Sequence, residues 1–423
     1  MSLLDSPQAQ ALLDDAVVEP DTLRSCRRNL TTFLDRYLPL FYRKEQAANA
    51  VVVVEGLLSD LARKTCEPIA RRQGRHRKPI QFFVGAGKWD DEAVMAEMRR
   101  HVVQAFGDPH GVLILDNSGF PKKGAASCGV KRQWCGRLGK IENCQVGVFL
   151  SYATRHGCAP LDRRLFLPEE WAADPARRLQ THVPPAVAFR TKGRLAAEML
   201  ARHAAEIPHA WIVADDEFGR AAEFRAQLRS RGERYLLDVP CDTLVRDLES
   251  PRPPRRRRGA GRKKERPFRR VDAWLQRQPP TRWERFLIRE GEKGPLEVLA
   301  MTVRVRARQE QRVGAEERLL VIRTVEETPR ISFALSNAEP EAPLAELVRV
   351  AGQRHRIEEF FEAAKGEAGL NQYEVRSWTG WHHHLTLSLL ALWFLTLEKR
   401  RLGEKNPRPD RPADTPAFLA IAS

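Results

Sequence analysis

Two aspartates, each at the end of a short apolar run, are the residues whose placement first suggests chemistry. Asp116 follows Gly-Val-Leu-Ile-Leu, and Asp215 follows Ala-Trp-Ile-Val-Ala. Short continuous apolar runs predict buried strands, and open α/β sheets carry their functional sites at the carboxyl ends of such strands. The Asn-Ser-Gly sequence after Asp116 predicts a turn, and an aspartate at a strand end is itself a common turn former. Each aspartate alone is therefore as compatible with a turn as with an active site.

A third acid, Glu358, lies in a segment with helical periodicity. Arg354 precedes it by four residues and Lys365 follows it by seven, so one helix over residues 351–365 is expected to carry all three on a single face. An adjacent apolar stripe can dock this helix on a sheet; it consists of Ile357, Phe360, Phe361 and Ala364. A solvent-facing row of ion pairs is the alternative interpretation. Three separated carboxylates offer the oxygen ligands that Mg²⁺ prefers.

Adjacent acids compete for these roles. Asp216 and Glu217 follow Asp215 directly, but neighbouring residues of a strand point to opposite faces of the sheet. Glu359 lies about 100° around the helix from Glu358, away from Arg354 and Lys365. The pattern therefore favours Asp215 and Glu358.

The charge balance indicates a polyanionic partner. The 71 Lys and Arg residues exceed the 55 Asp and Glu residues, which gives a formal net charge of +16. Such a surplus favours nucleic acid over a membrane surface, although a solvated basic surface is the alternative. The most basic segment, residues 251–270, reads as an exposed loop, and its cations are expected to contact phosphate without reading sequence. These include Arg256, Arg257, Lys263 and Lys264. A second basic group follows the first acid and is expected to grip the flanking nucleic-acid backbone, with solvated side chains as the alternative; it consists of Lys122, Lys123, Lys131 and Arg132.

Cysteine usage and hydropathy point to a cytoplasmic protein. The seven cysteines have no pairwise spacing, which fits reduced thiols rather than disulfides. Four of them fall in one stretch but without a CxxC pair, so buried thiols are favoured over a zinc site; these are Cys128, Cys135, Cys144 and Cys158. The Met1 end has no secretory pattern, and the longest apolar stretch, residues 385–397, is too short to cross a bilayer.

The elements that would position the acids fall into five segments. Residues 1–106 show helical periodicity, and residues 107–232 alternate strands with helices, which favours an α/β core. Residues 233–340 are β-rich and contain the basic loop. Residues 341–405 return to helical periodicity, and residues 406–423 form a Pro-rich tail. Near the last helix, Trp378 and Trp381 are expected to close the core. A stacking platform for a flipped base is the alternative for these residues and His382 to His384, and a metal cluster of the histidines is a weaker one.

The combined motifs resemble a known family. They are Asp116 in Leu-Asp-Asn-Ser-Gly-Phe-Pro-Lys-Lys-Gly, Asp215 in Val-Ala-Asp-Asp-Glu-Phe-Gly, and Arg354-x-x-x-Glu358 followed by six residues and Lys365. Leu-Leu-Ser-Asp-Leu-Ala-Arg-Lys, which ends at Lys64, and the stretch after the third acid match as well. Over roughly residues 30–400 the sequence resembles the DDE insertion-sequence transposases, in particular the IS-four superfamily and its IS-seven-hundred-one-like branch.

This resemblance implies an α/β, RNase H-like core with a β-rich insertion and a helical amino-terminal DNA-binding region. It implies that Asp116, Asp215 and Glu358 are catalytic and hold two Mg²⁺ ions, with Mn²⁺ able to substitute. Arg354 and Lys365 would hold phosphates of double-stranded DNA, both the element's terminal inverted repeats and the target. The implied activity is cut-and-paste transposition by a homodimer on DNA. The family's signature has Tyr where this sequence has Ala351, which bears on DNA-end contacts rather than on the metal.

Two other functions are compatible with the sequence. An RNase H-like DNA nuclease could cleave without strand transfer. A non-catalytic DNA-binding protein derived from a transposase would usually have lost an acid, and all three acids are present.

Overall fold

The computed structural model describes residues 20–251, 265–289 and 296–405. Its amino-terminal helices are α1 (Pro20–Asp35), α2 (Lys44–Leu57), α3 (Cys66–Arg72), α4 (Arg77–Gly85) and α5 (Asp91–Phe106). The last of these shows why the sequence folds this way. Asp90 caps α5 by accepting hydrogen bonds from the backbone N–H groups of Glu92 and Ala93, and the apolar face of the helix is buried. The predicted helical character of this region is confirmed over its described residues.

The strands form one sheet. They are β1 (Val112–Pro121), β2 (Lys131–Cys135), β3 (Lys140–Thr154), β4 (Gly157–Leu165), β5 (Trp211–Ala214), β6 (Tyr235–Val239), β7 (Leu244–Asp247), β8 (Arg269–Arg270), β9 (Glu284–Arg289), β10 (Leu296–Gln309), β11 (Arg312–Thr324) and β12 (Ile331–Ser336). Their order is β2-β3-β1-β5-β6-β12-β11-β10-β7-β8, with β4 also paired to β3 and β9 to β10.

The central strands have the arrangement expected of an RNase H-like core. β3 runs antiparallel to both β1 and β4, and β1, β5 and β6 are parallel neighbours. The predicted α/β, RNase H-like fold is confirmed. The predicted β-rich segment continues the same sheet, because β12 pairs antiparallel with β6.

The remaining helices follow the strands along the chain. They are α6 (Glu169–Ala172), α7 (Pro175–Gln180), α8 (Lys192–His203), α9 (Asp216–Gly219), α10 (Ala222–Ser230), α11 (Val271–Leu275), α12 (Leu344–Gln353), α13 (Arg356–Gly366) and α14 (Trp378–Lys405). Trp381 and the three histidines that follow it are buried in α14, and His383 stacks on Trp89 with ring centroids 3.9 Å apart. The expectation that Trp378 and Trp381 close the core is confirmed, because Trp381 is fully buried and Trp378, which is partly buried, packs against the core.

Two local predictions are wrong. The Asn-Ser-Gly sequence after Asp116 is not a turn, because β1 continues to Pro121 in unbroken register with β3. The single helix expected over residues 351–365 is two helices, since α12 ends before Arg354 and α13 begins after His355. At this junction Arg354, Ile357 and Glu358 donate their backbone N–H groups to carbonyls three residues back, which replaces the regular four-residue pattern.

Candidate active site

A row of three aspartates crosses the three parallel strands of the core. Leu115 of β1 pairs with Ala214 of β5, so Asp116 and Asp215, one residue further along each chain, lie at the same edge. Ala214 in turn pairs with Leu237 of β6, which adds Asp238 to the row. Because the three strands are parallel, the register of their pairing places the three aspartates side by side. Asp238 was missed by the sequence analysis, although an acid inside the apolar run Leu-Leu-Asp-Val was its signal.

Asp116 and Asp215 are held rigidly by the backbone. Asp116 lies within β1, and its carboxylate accepts a hydrogen bond from the backbone N–H of Asn117 at 2.6 Å. Asp215 caps α9, and its carboxylate accepts from the backbone N–H groups of Glu217 and Phe218 at 3.1 and 3.4 Å. Neither carboxylate can turn away without breaking these bonds.

Both aspartates are hard to ionise. Burial is the main cause that raises the pKa of Asp116 to about 6, and the nearby charge of Glu358 adds to it. Burial and then the charge of Asp116 raise the pKa of Asp215 to about 7. Two carboxylates that oppose each other's ionisation in a partly buried place are the electrostatic signature of a cation or proton site.

Glu358 lies beside these aspartates but its side chain is occupied elsewhere. Its carboxylate pairs with Nδ1 of His355 at 3.0 Å, and the Glu358 side chain is 56% exposed. Within the residues that the structure describes, no three His, Cys, Asp or Glu side chains gather closely enough to hold one metal ion. The predicted three-carboxylate ligand set is therefore present as neighbours rather than as an assembled site. Its donors are nonetheless all carboxylate oxygens, which suit Mg²⁺ or Mn²⁺, and the charge of Glu358 reaches Asp116.

Arg354 lies among the acids and forms an ion pair with Asp238. Its Nε donates to the carboxylate of Asp238 at 2.8 Å, and the charges of Asp116, Glu358 and Asp215 also stabilise the guanidinium. The close approach that brings Asp238 here depends on Gly219, since a Cβ there would lie 1.8 Å from the carbonyl oxygen of Asp238. Arg354 is thus the counter-charge of the row of acids in this structure, a role that the sequence analysis did not assign to it.

The three predicted acids open into one cleft of about 1390 Å³. Lys365 also lines it, and its ammonium lies 5.1 Å from the centre of the Phe361 ring. Two further cations of the cleft are paired: Lys192 with Glu217 at 2.6 Å and Arg220 with Asp216 at 3.9 Å. The cleft combines neighbouring acids with cations, which are the groups that a metal-assisted reaction at a phosphodiester needs.

The other predicted DNA contacts have mixed placements. Lys122 is partly buried: its ammonium lies 3.3 Å from the centre of the Tyr373 ring, and burial lowers its pKa to about 8. Lys131 pairs with Glu170 at 2.6 Å, whereas Lys123 and Arg132 are exposed. The four predicted residues of the basic loop lie outside the described residues; they are Arg256, Arg257, Lys263 and Lys264.

Two further predictions concern the state of the cysteines and the presence of membrane-spanning helices. All seven cysteines are free thiols, as expected. In the described ranges no helix is long and apolar enough to cross a membrane.

Comparison with known proteins agrees with the geometry. The family model of the DDE superfamily endonucleases matches residues 36–295, which include Asp116 and Asp215. A curated relative from Microchaete diplosiphon, described as the probable transposase for insertion sequence element IS701, is 28% identical over 197 residues. That alignment covers 46% of this chain and 49% of the relative, so it spans about half of the relative's length. The sequence-based resemblance is confirmed, and the chain belongs to the DDE superfamily endonucleases.

Proposed function

We propose that this protein is a DNA transposase that cleaves the ends of its insertion element and joins them to target DNA by cut-and-paste movement. The observation that carries the proposal is the placement of Asp116 within β1 and of Asp215 directly after its parallel neighbour β5, where both line a cleft shared with Glu358 and Lys365. Family membership supports the endonuclease chemistry, and the name of the curated relative supports transposition.

In this proposal Asp116, Asp215 and Glu358 hold divalent cations, Mg²⁺ first and Mn²⁺ as a substitute. Bound there, the cations would activate the attacking oxygen and stabilise the leaving one. The two aspartates supply fixed ligands, whereas Glu358 completes the set by rotating its exposed side chain away from His355. Their ionisation is opposed in the free protein, so the acids favour binding of positive charge.

The chain's own groups then position DNA. Lys365 lines the cleft as a point charge for a phosphate beside the scissile bond. Arg354, whose side chain is 33% exposed and pairs with Asp238, would hold a phosphate with its remaining donors. Water attacks the phosphodiester at the element's end, the P–O bond to the 3′ oxygen breaks, and the freed 3′-hydroxyl attacks target DNA at the same site. The proton of the attacking oxygen passes to solvent, and the displaced oxygen of the target strand leaves as a hydroxyl.

The proposal assigns roles to whole segments. The helical region, residues 1–106, would bind the terminal inverted repeats, and residues 107–232 and 341–405 would form the catalytic core. The β-rich segment, residues 233–340, would add backbone contacts through its basic loop. Pairing two element ends on double-stranded DNA implies a homodimer on DNA in the nucleoid, and residues 406–423 would be a tail.

The test measures nicking and strand transfer on duplexes that carry the element's terminal sequence, read from the flanking genomic DNA. Asp116→Asn, Asp215→Asn and Glu358→Gln are each expected to abolish Mg²⁺-dependent nicking. Glu359→Gln is the matched control, because it makes the same change one position along the helix and should retain activity. Wild-type cleavage activity in Asp116→Asn would refute the assignment of Asp116 to the active site. Cleavage without joining of pre-cleaved ends would favour the nuclease alternative.

A further inference from the structure

A β-hairpin beside the acids presents an exposed aromatic side chain to the cleft. We call it the cleft hairpin; it consists of β2, the turn at residues 136–139 and the start of β3 up to Cys144. Trp134 of β2 pairs across the hairpin with Ile141 of β3, and each is 59% exposed. Large apolar side chains at a cross-strand pair normally cover one another or a core, so this pair presents an open apolar surface. Trp134 also lines the cleft that contains the three acids.

The position of this hairpin is fixed by packing next to β1. Cys135 is fully buried in a small cluster with Cys144, Val146 and Phe166. Its Sγ lies only 2.7 Å from where a Cβ at Gly119 would stand, so the hairpin touches the backbone of β1 three residues after Asp116. Because the buried residue lies between Trp134 and the turn, both are held at the cleft rather than on a free loop.

The turn contributes a cation to the same cleft. Arg137 is exposed and lines the cleft with Lys365, and in the described part of the chain neither has a carboxylate within ion-pair distance. Arg137 and Lys365 differ in this respect from Lys192, Arg220 and Arg354, because each of those three cations forms an ion pair with an acid. Burial, and then the neighbouring charge of Arg137, lower the pKa of Lys365, so the two cations repel each other across the cleft. An anion bound between them would relieve this repulsion.

We propose that Trp134, Arg137 and Lys365 form a nucleotide-binding subsite, which takes one unstacked nucleotide of the DNA strand that enters the cleft. The nucleobase stacks on the indole of Trp134, and its phosphate lies between the guanidinium of Arg137 and the ammonium of Lys365. A base inside a duplex is covered on both faces, so the indole selects a base at a frayed end or one turned out of the stack. The inference rests on the proposed function, since it assumes that the cleft receives DNA.

The test uses binding without divalent metal, so that cleavage cannot occur. The probe is a forked duplex with 2-aminopurine at the first unpaired position, and a fully paired duplex of the same sequence is the comparison. Binding to the fork should quench the 2-aminopurine fluorescence at saturation. Trp134→Ala should remove most of this quenching and weaken fork binding about tenfold, with a smaller effect on the paired duplex. Trp134→Phe should restore much of the affinity.

The role of Arg137 in binding phosphate is tested by removing its charge. Arg137→Gln should weaken binding of both probes and lower the slope of log affinity against log salt by about 1. If Arg137 and Lys365 hold one phosphate, the double variant with Lys365→Gln should lose less affinity than the product of the two single losses. Lys140→Gln is the matched control, because Lys140 also lies on the hairpin but is paired with Glu142 at 3.2 Å outside the cleft lining.

Two results would overturn the subsite. One is unchanged quenching in Trp134→Ala, and the other is an equal salt slope for Arg137→Gln and Lys140→Gln. Either result leaves the proposed transposase intact, because nicking by the acids is measured separately. Conversely, Asp116→Asn that still nicks DNA would refute the proposed function without changing these binding measurements. Unaltered thermal unfolding of the variants checks that the exposed substitutions leave the fold intact.

Discussion

Replacing Asp215 by Asn is expected to stabilise the free protein, although it removes a residue that we place in the active site. The amide keeps the oxygen that caps α9, because Asn is as good a helix cap as Asp. It removes the charge that burial and Asp116 oppose. The change therefore separates the electrostatic cost of the site from its local structure.

The size of the effect follows from the raised pKa of Asp215, about 7 in the folded protein against an ordinary value of 3.8. One pKa unit corresponds to about 1.4 kcal/mol, so the ionised carboxylate costs at most roughly 4 kcal/mol, and solvent screening reduces this to about 2 kcal/mol. A folded-state pKa above the unfolded one means that the folded protein binds the proton more tightly. Stability from this group is therefore complete below pH 4 and is lost as pH rises toward 7.

The assay is urea unfolding of the wild type and the variant at pH 4.5 and pH 8, in buffer without divalent metal. Asp215→Asn should raise the free energy of unfolding by about 2 kcal/mol at pH 8 and by much less at pH 4.5. Asp90→Asn is the control, because Asp90 caps α5 through the same kind of hydrogen bonds but is exposed and lies outside the cleft lining. A stabilisation that equals the control, or one that does not depend on pH, would refute the electrostatic reasoning.

Three further predictions concern the surroundings of the site. Arg354→Ala should lower the free energy of unfolding by about 1–2 kcal/mol, since it leaves Asp238 without its counter-charge, and Asp238→Asn in the same chain should recover most of the loss; urea unfolding of the double variant decides this. Gly119→Ala should destabilise by about 1–3 kcal/mol because its Cβ meets Cys135, and partial recovery by Cys135→Ala would identify that contact as the cause. Mg²⁺ at pH 8 should raise the unfolding temperature of the wild type but not of Asp116→Asn, and an equal rise in both would place the ion elsewhere.

The sequence could predict Asp116 and Asp215 as candidate site residues because each follows a continuous apolar run, and both runs are buried in the structure. It could also predict the buried stripe of α13, whose apolar residues recur at helical spacing. It could not predict that β1 continues beyond Asp116, because the turn preference of Asn-Ser-Gly is overridden by pairing with the long strand β3. Asp238 was missed for a related reason, since only the register of β6 against β5 brings it to the site.

The structure also explains why the three carboxylates of the site are not equivalent. Asp116 and Asp215 are fixed by main-chain hydrogen bonds on adjacent strands, so their separation is set by the sheet and changes only if the core changes. Glu358 follows a junction where the regular helical pattern is interrupted, and its exposed side chain pairs with His355. A site with two rigid ligands and one adjustable ligand could bind a cation weakly before DNA arrives and more tightly afterwards. The interrupted helix at Arg354 would serve the proposed site in two ways: Arg354 pairs with Asp238 at the junction, and Glu358 could exchange its exposed contact with His355 for one with the aspartates.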